Sequence, residues 1–175
     1  MRLRKPFNLR NQKGSNWNNR AILAAELIRK FALPGDSIAD FGCGNEKLKE
    51  ALQQFRCSYQ GFDLMPQSKH VIRLDLLSDP IPSNFDVAVL LGVLEYIPVV
   101  PTLQKLSIPL LVVSHLYPDE GAFPSSIIAK AGWRNVLRKA EFENALKEAN
   151  YEVIEAIRTP EKMQYVWICR RLIAA

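Results

Sequence analysis

An acid followed by two alternating glycines, at the end of a buried apolar run, is the most informative group of residues in this chain. The run Ile38-Ala39 leads to Asp40, and Gly42 and Gly44 follow before a helix-forming stretch begins. A strand, a glycine turn and a helix N-terminus in this order present bare backbone N–H groups to a ligand. A carboxylate two residues before the first glycine would repel a phosphate. The motif therefore favours a ligand with an ammonium or sulfonium group.

Residues suited to ligand binding also end the next three predicted strands: an acid ends the second and the third, and a glycine ends the fourth. Asp63 follows Asp40 by 23 residues, at a position where a carboxylate can accept hydrogen bonds from both hydroxyls of a ribose. Asp75 ends the third strand, where it can accept from an adenine amino group, and Leu91-Gly92 ends the fourth with accessible backbone. One such acid would be interpreted as a turn former. Together at successive strand ends, where open α/β sheets bind ligands, they predict a nucleoside.

Strands that alternate with helices must position these residues. A helix is expected from residue 18 or 19 to before Pro34, and further helices over 46–55 and 139–149. Seven strands are expected at 37–41, 58–63, 71–76, 86–91, 110–114, 152–158 and 164–170. A hairpin-length loop separates the last two. The pattern predicts an α/β fold: a doubly wound, seven-stranded, mostly parallel sheet with helices on both faces and a C-terminal antiparallel hairpin strand.

Length, charge and cysteine content limit the class of protein. A chain of 175 residues predicts one domain, 1–175. Eight of the 23 Lys and Arg residues fall within residues 1–30, against one acid, so the basicity belongs to an N-terminal arm, 1–17, expected to be flexible. The widely spaced Cys43, Cys57 and Cys169 predict reduced thiols, no metal centre and a cytoplasmic location. The sequence offers neither a signal peptide nor an apolar stretch of transmembrane length.

These motifs resemble those of the class I S-adenosylmethionine-dependent methyltransferases, over nearly the whole chain. Asp40-Phe41-Gly42-Cys43-Gly44 is similar to the first motif of that family, and the segment from Phe85 to Ile97 to its fourth. The segment from Glu141 to Ile154 resembles the penultimate helix and strand of the family. The resemblance implies S-adenosylmethionine as cofactor and a cofactor site made of Asp40, Gly42, Cys43, Gly44, Asp63, Leu64, Asp75, Leu76, Leu91 and Gly92.

One residue departs from the first motif. Glu46 replaces the third glycine of the family's loop. It either crowds the loop or stabilises the helix dipole as a first-turn acid, and we expect the second because it opens a helix. A nicotinamide dehydrogenase would need glycine where Lys47 stands, and Asp40 would repel its pyrophosphate.

Candidates for chemistry follow strands four and five. In-line attack on a sulfonium methyl group requires alignment of the nucleophile and, for an oxygen nucleophile, a general base. We name His115 and Glu95 as the catalytic candidates, with Tyr96 and Tyr117 nearby in sequence. Loops as long as 115–137 are usually functional, and we expect this one to form the substrate side of the site.

The identity of the acceptor is left open by the sequence. A small molecule, lipid or saccharide is favoured, because residues 91–94 lack the Asn/Asp-Pro-Pro-aromatic tetrad that base-amine methylases often have. The basic arm keeps RNA as the alternative acceptor. A methyltransferase-like, non-catalytic subunit that binds a protein partner is a further alternative. Residues 16–20 are expected to fold over the methionine end of the cofactor.

Overall fold

The computed structural model describes residues 16–116, 125–160 and 164–172, which form one seven-stranded sheet. The strand order is β3-β2-β1-β4-β5-β7-β6. All pairs from β3 to β5 are parallel, whereas β7 is antiparallel to both β5 and β6. The predicted C-terminal hairpin is thereby confirmed. The strands are β1 Ser37–Phe41, β2 Ser58–Asp63, β3 Ile72–Arg73, β4 Val87–Leu91, β5 Leu110–Leu116, β6 Tyr151–Arg158 and β7 Gln164–Arg171.

Helices cover both faces of the sheet, as predicted. The described helices are α1 Asn16–Phe31, α2 Lys47–Ala51, α3 Val99–Lys105, α4 Ser125–Ala131 and α5 Lys139–Glu148. Leu27 of α1 and Leu48 of α2 pack with Val112 on one face. Leu103 of α3 and Phe142 of α5 pack with neighbours of Val112 on the other. Because successive strand residues point to opposite faces, central strands such as β4 and β5 are apolar at nearly every position.

Strand β3 is much shorter than the predicted strand 71–76. Only Ile72 and Arg73 pair with β2. The chain then turns, because Asp75 accepts a hydrogen bond from the backbone N–H of Leu77 at 2.9 Å and ends the extended run. The buried Leu74 and Leu76 gave the segment a strand-like pattern although they follow the paired residues and pack in the core cluster with Phe62.

The stretch 115–137 is not a continuous loop. Strand β5 runs on to Leu116 because β7 pairs with it as far as Gln164. Residues 125–131 form α4, a short helix without buried residues. Residues 117–124, which include Tyr117, lie outside the described residues, as do residues 1–15 of the predicted arm. Helix α1 starts at Asn16, two or three residues earlier than expected.

Candidate cofactor and acceptor site

The glycine turn after β1 is locked to the end of β2. The backbone N–H groups of Gly42 and Cys43 both donate to the carbonyl oxygen of Phe62, at 2.7 and 3.1 Å. Gly42 has φ 75 and Gly44 has φ 54, which is backbone that glycine adopts without strain. A β-carbon on Gly42 would lie 2.5 Å from Val93 Cγ2. The turn therefore needs glycine both for its conformation and for its close approach to the loop after β4.

Asp63 is held in place by two backbone donors. Its Oδ2 accepts from the N–H of Gly44 at 2.9 Å and its Oδ1 from the N–H of Met65 at 2.8 Å. A carboxylate has about four acceptor positions, so both oxygens keep capacity for a ligand. Leu64 beside it is 40% exposed. This fixed, half-buried carboxylate can accept hydrogen bonds from a pair of neighbouring hydroxyls.

The other strand-end positions line the same carboxyl edge of the sheet. Asp75 is half-buried and Leu76 next to it is buried. Asp75 Oδ1 is fixed by the N–H of Leu77, which leaves acceptor capacity on the carboxylate. Leu91 is half-buried, and the N–H of Gly92 donates to Ser114 Oγ at 2.9 Å. The structure thus brings the predicted cofactor residues to one edge, while their roles stay predictions.

Asp40 lies inside the protein, with 3% of its surface exposed. Burial raises the pKa of its carboxyl to about 7, against the hydrogen bond from Tyr59 and the charge of Arg20. The hydroxyl of Tyr59 donates to Asp40 Oδ2 at 2.7 Å. Asp40 can therefore gain or lose a proton near neutral pH, which an exposed aspartate cannot.

This shift predicts that the protein is less stable in mild alkali than in mild acid. An acid whose pKa is raised by folding costs stability as the pH rises from its unfolded pKa, about 3.9, to its folded one, and the cost here is at most about 4 kcal/mol. We expect the free energy of unfolding, measured in urea from pH 5 to pH 8, to fall with pH. Asp40→Asn keeps an acceptor for Tyr59 and should flatten this dependence. An unchanged slope in Asp40→Asn would contradict the assignment.

Arg20 reaches from α1 across the end of β4. A β-carbon on Gly92 would collide with the guanidinium of Arg20, so glycine, with φ 71, leaves room for that side chain. Burial lowers the pKa of Arg20, while the charges of Glu95, Tyr96 and Asp40 act in the opposite direction. The guanidinium stays charged because the ordinary arginine pKa is so high. A cation is thereby placed between two buried carboxyl groups at the carboxyl edge of the sheet.

Glu95 is a buried residue of the loop that follows β4. Its Oε1 accepts from the N–H of Leu116 at 3.0 Å, and burial raises its pKa against these hydrogen bonds and the charge of Arg20. Its backbone oxygen accepts from the N–H groups of Arg134 and Asn135, at 2.6 and 3.1 Å. These contacts fasten the segment after α4 to the end of β4.

His115 is completely buried inside β5 rather than in a loop. Its Nε2 accepts from the N–H of Leu137 at 3.3 Å, and its ring stacks on Phe142 with centroids 4.6 Å apart. Its Nδ1 lies 3.8 Å from Glu95 Oε1, beyond hydrogen-bond distance. The structure brings the two catalytic candidates together but exposes neither, so their catalytic role stays a prediction. The geometry offers another role for His115, as a support for residue 137.

Burial lowers the pKa of His115 to about 4 and keeps the ring neutral at pH 7. Because Nε2 is the acceptor, the proton of the neutral ring lies on Nδ1. We expect nitrogen-15 NMR of the imidazole to report this tautomer unchanged from pH 8 down to pH 5. His70, which is exposed, is the other imidazole in these spectra. Titration of His115 near pH 6.5 would contradict the structure.

Asn135 is a site residue that sequence analysis did not find. Its Nδ2 donates to the carbonyl oxygens of Leu94 and Ile97, at 2.7 and 2.6 Å, and so holds the loop after β4 closed. Next to it, Trp133 Nε1 donates to the hydroxyl of Tyr96 at 3.2 Å. An isolated asparagine between two short elements has no spacing pattern that would mark it beforehand.

The expectation that Glu46 is a first-turn acid is wrong. Helix α2 begins at Lys47, and Glu46 precedes it with φ 58, the left-handed conformation that favours glycine. Its carboxylate accepts from Lys49 Nζ and Ser68 Oγ, both at 3.0 Å, and makes no hydrogen bond to the helix amides. The backbone thus keeps the shape that a glycine would give, and the side chain is drawn towards Ser68.

Two further properties concern metals and membranes. Among the described residues, no group of three or more His, Cys, Asp and Glu side chains could hold a metal ion. Over the same part of the chain, the helices are too short or too polar to span a bilayer.

The sequence matches no protein-family model and no curated protein. Solved structures do resemble the fold. A protein assigned as a methyltransferase, in its complex with the Haloferax volcanii Trm112 methyltransferase activator, is 15% identical, with a TM-score of 0.72 and 91% of each chain covered. The Synechocystis PCC 6803 magnesium protoporphyrin IX methyltransferase with bound S-adenosylhomocysteine is 16% identical, with a TM-score of 0.63, 89% of this chain and 83% of that one being covered.

The mitomycin 7-O-methyltransferase is also similar, with 16% identity and a TM-score of 0.68. The similarity covers 90% of this chain but 54% of that enzyme, so this chain spans little more than half of its length. Identities of 15–16% show a shared fold and are too low to transfer an activity. The chain has the fold of the class I S-adenosylmethionine-dependent methyltransferases.

Proposed function

We propose that this protein transfers a methyl group from S-adenosylmethionine to a small-molecule, lipid or saccharide acceptor. The observation that carries the proposal is the connection between the glycine turn and Asp63, whose carboxylate is fixed by the N–H of Gly44 at 2.9 Å. That hydrogen bond holds the Asp63 carboxylate, which can accept from hydroxyl groups, beside the backbone of the glycine turn at the carboxyl edge of the sheet. Neighbours with the same fold contain bound S-adenosylmethionine or S-adenosylhomocysteine, which supports the choice of ligand.

The residues at this edge fit the three parts of the cofactor. Asp63 would accept from the ribose hydroxyls, and Asp75 with Leu76 would take the adenine. The methionine end of the cofactor would lie against the glycine turn. Asp40 would bind its ammonium group and Arg20 its carboxylate. An acid and a cation at these two positions match the opposite charges of a zwitterion.

The cofactor supplies an electrophilic methyl group, so the protein must mainly align the acceptor and exclude water. During transfer the S–CH₃ bond breaks while the bond from methyl carbon to acceptor forms, and S-adenosylhomocysteine leaves. An acceptor that attacks through an O–H or a neutral N–H group releases that proton to a base or to water. Tyr96 and Trp133, joined by their hydrogen bond of 3.2 Å, stand beside the loop after β4 and would form one wall for the acceptor.

Two other functions remain candidates because particular observations favour them. The eight cations within residues 1–30 favour an RNA acceptor. The similarity to a protein that forms a complex with a methyltransferase activator favours a subunit acting with a protein partner. Steeply salt-dependent RNA binding would promote the first, and a co-purified partner required for turnover would promote the second.

Calorimetry tests the cofactor directly. We expect S-adenosylmethionine and S-adenosylhomocysteine to bind with one site per chain, while NAD⁺ does not bind. A chain that binds neither adenosyl compound would rule out methyl transfer for small molecules and for RNA alike.

A further inference from the structure

Positive charge is concentrated in two stretches of the chain. Residues 1–25 contain six cations and no acid, and residues 125–140 contain four cations and no acid. All 18 acids therefore lie elsewhere, where they outnumber the 13 remaining cations. We call residues 125–140 the cationic segment; its cations are Lys130, Arg134, Arg138 and Lys139.

The cationic segment lies against the proposed acceptor side of the site. The N–H of Arg134 donates to the carbonyl oxygen of Glu95 at 2.6 Å, and the amide of Asn135 clamps the loop after β4. The N–H of Leu137 bonds to His115 at the end of β5. Arg134 is thus fixed by its backbone at the carboxyl edge of the sheet, near the ends of β4 and β5.

Three of these four cations are available to a ligand. Lys130, Arg134 and Arg138 are exposed and form no ion pair within the described parts of the chain, whereas Lys139 pairs with Glu143 at 2.7 Å. The acids at 119 and 120 belong to the undescribed stretch before α4. Trp133 is half-buried and lies between Lys130 and Arg134 in the sequence, so the segment also contains an aromatic ring.

Two buried polar atoms indicate that the neighbouring interior also has unused hydrogen-bonding capacity. Glu95 Oε2 and His115 Nδ1 have no hydrogen-bond partner among the described residues, and both residues are at most 1% exposed. One is an acceptor and the other, in the neutral ring, a donor. Buried groups of this kind are usually satisfied by a water or a ligand.

We propose that the methyl acceptor is a small aromatic anion whose carboxylate or phosphate is bound by Lys130, Arg134 and Arg138 beside Trp133; this inference rests on the proposed function. Because acids outnumber cations over the remainder of the chain, anions are favoured at the two cationic stretches, and this segment is the one fastened to the loop after β4. Guanidinium groups bind carboxylate and phosphate with two parallel hydrogen bonds, and the indole offers a face to a planar ring. These three cations fall within nine residues of the sequence, a number that suits one anionic group better than a long polyanion.

The experiment uses the full chain saturated with S-adenosylhomocysteine. Phenyl phosphate and benzoate are the anionic probes and benzamide is the neutral one, with binding followed through the indole N–H signal of Trp133 in NMR spectra. We compare the wild type with the triple variant Lys130→Gln, Arg134→Gln, Arg138→Gln. The matched control is the triple variant Arg56→Gln, Lys147→Gln, Arg170→Gln. It also removes one lysine and two arginines, but from exposed positions at the amino edge of the sheet.

We expect both anions to bind the wild type and the control equally, and the triple variant about tenfold more weakly. Benzamide should bind all three proteins weakly and alike. Equal anion affinity in the wild type and the triple variant would overturn the proposal. So would a short single-stranded RNA, or vesicles of phosphatidylglycerol, that binds more tightly than phenyl phosphate through the same three cations, because the patch would then serve a nucleic acid or a lipid surface.

S-adenosylhomocysteine affinity is measured for each of the three proteins before the probes are added. If the nucleoside does not bind, the proposed function fails, and anion binding to the unliganded chain is then assessed separately. If the nucleoside binds alike in all three and the anions do not distinguish them, the cofactor assignment stands and the acceptor class is wrong.

Discussion

Asp63→Ala is expected to weaken S-adenosylhomocysteine binding about 100-fold or more. The carboxylate can make two charge-assisted hydrogen bonds to the ribose, each contributing about 1.5–3 kcal/mol. The same change releases the N–H groups of Gly44 and Met65, so the glycine turn loses its connection to β2 as well. Calorimetry measures the loss, and Asp63→Asn should fall between alanine and the wild type.

Asp86 provides the matched control for this experiment. It too accepts from a backbone N–H of a neighbouring strand, that of Ser37 at 2.8 Å, but at the amino edge of the sheet. Hydrogen bonds from Ser37 lower the pKa of Asp86, so its carboxylate is stabilised in the folded protein. Asp86→Ala should lower stability and leave nucleoside affinity unchanged. If Asp63→Ala binds within about threefold of the wild type, Asp63 is not the ribose ligand.

Arg20→Met should separate two ligands that differ in their methionine end. S-adenosylhomocysteine has an α-carboxylate and 5′-methylthioadenosine does not. We expect the variant to lose about 30-fold or more in affinity for the first, the value of one charge-assisted contact, and to bind the second as the wild type does. If both ligands lose affinity equally, Arg20 maintains the shape of the site and does not bind the α-carboxylate.

The same variant should be destabilised in a pH-dependent way. Removing the cation leaves Asp40 and Glu95 buried without it, and breaking such an arrangement costs about 3–5 kcal/mol. The cost should be greatest at pH 8, where Asp40 is ionised, and smaller at pH 5, where it is protonated. Arg29→Met is the control, because Arg29 lies on the same helix, is exposed, and only donates to the carbonyl oxygen of Ala51.

The sequence contained the local patterns that determine the sheet and its carboxyl edge. Apolar runs located β1 and β4 within one residue, and the short gap between β6 and β7 was enough to predict their antiparallel pairing. Asp63 is the last residue of β2, as the sequence predicted. These features depend on a few neighbouring residues, so they can be recognised without knowledge of the tertiary structure.

The features that sequence analysis missed depend on distant residues. The burial of His115 follows from pairing with Tyr165 in β7, 50 residues later, and from stacking on Phe142 of α5. Glu46 adopts a left-handed backbone conformation because the turn closes there. The conformational propensity of glutamate does not indicate this conformation. Arg20 meets Gly92 only because α1 crosses the end of β4. The periodicity of residues within one segment does not predict contacts between residues that are far apart in the sequence.

The position of β7 between β5 and β6 has a consequence for synthesis of the protein. Strand β7 follows the other six strands of the described sheet in the chain but lies inside that sheet, and its Val166 and Ile168 pack with Ala24 and Leu27 of α1. A nascent chain still lacking β7 has an open edge on β5 and leaves part of the apolar face of α1 uncovered, and both features favour aggregation. Productive folding must therefore wait until the C-terminal hairpin has left the ribosome, and chaperones that shield apolar surface should matter most in that interval.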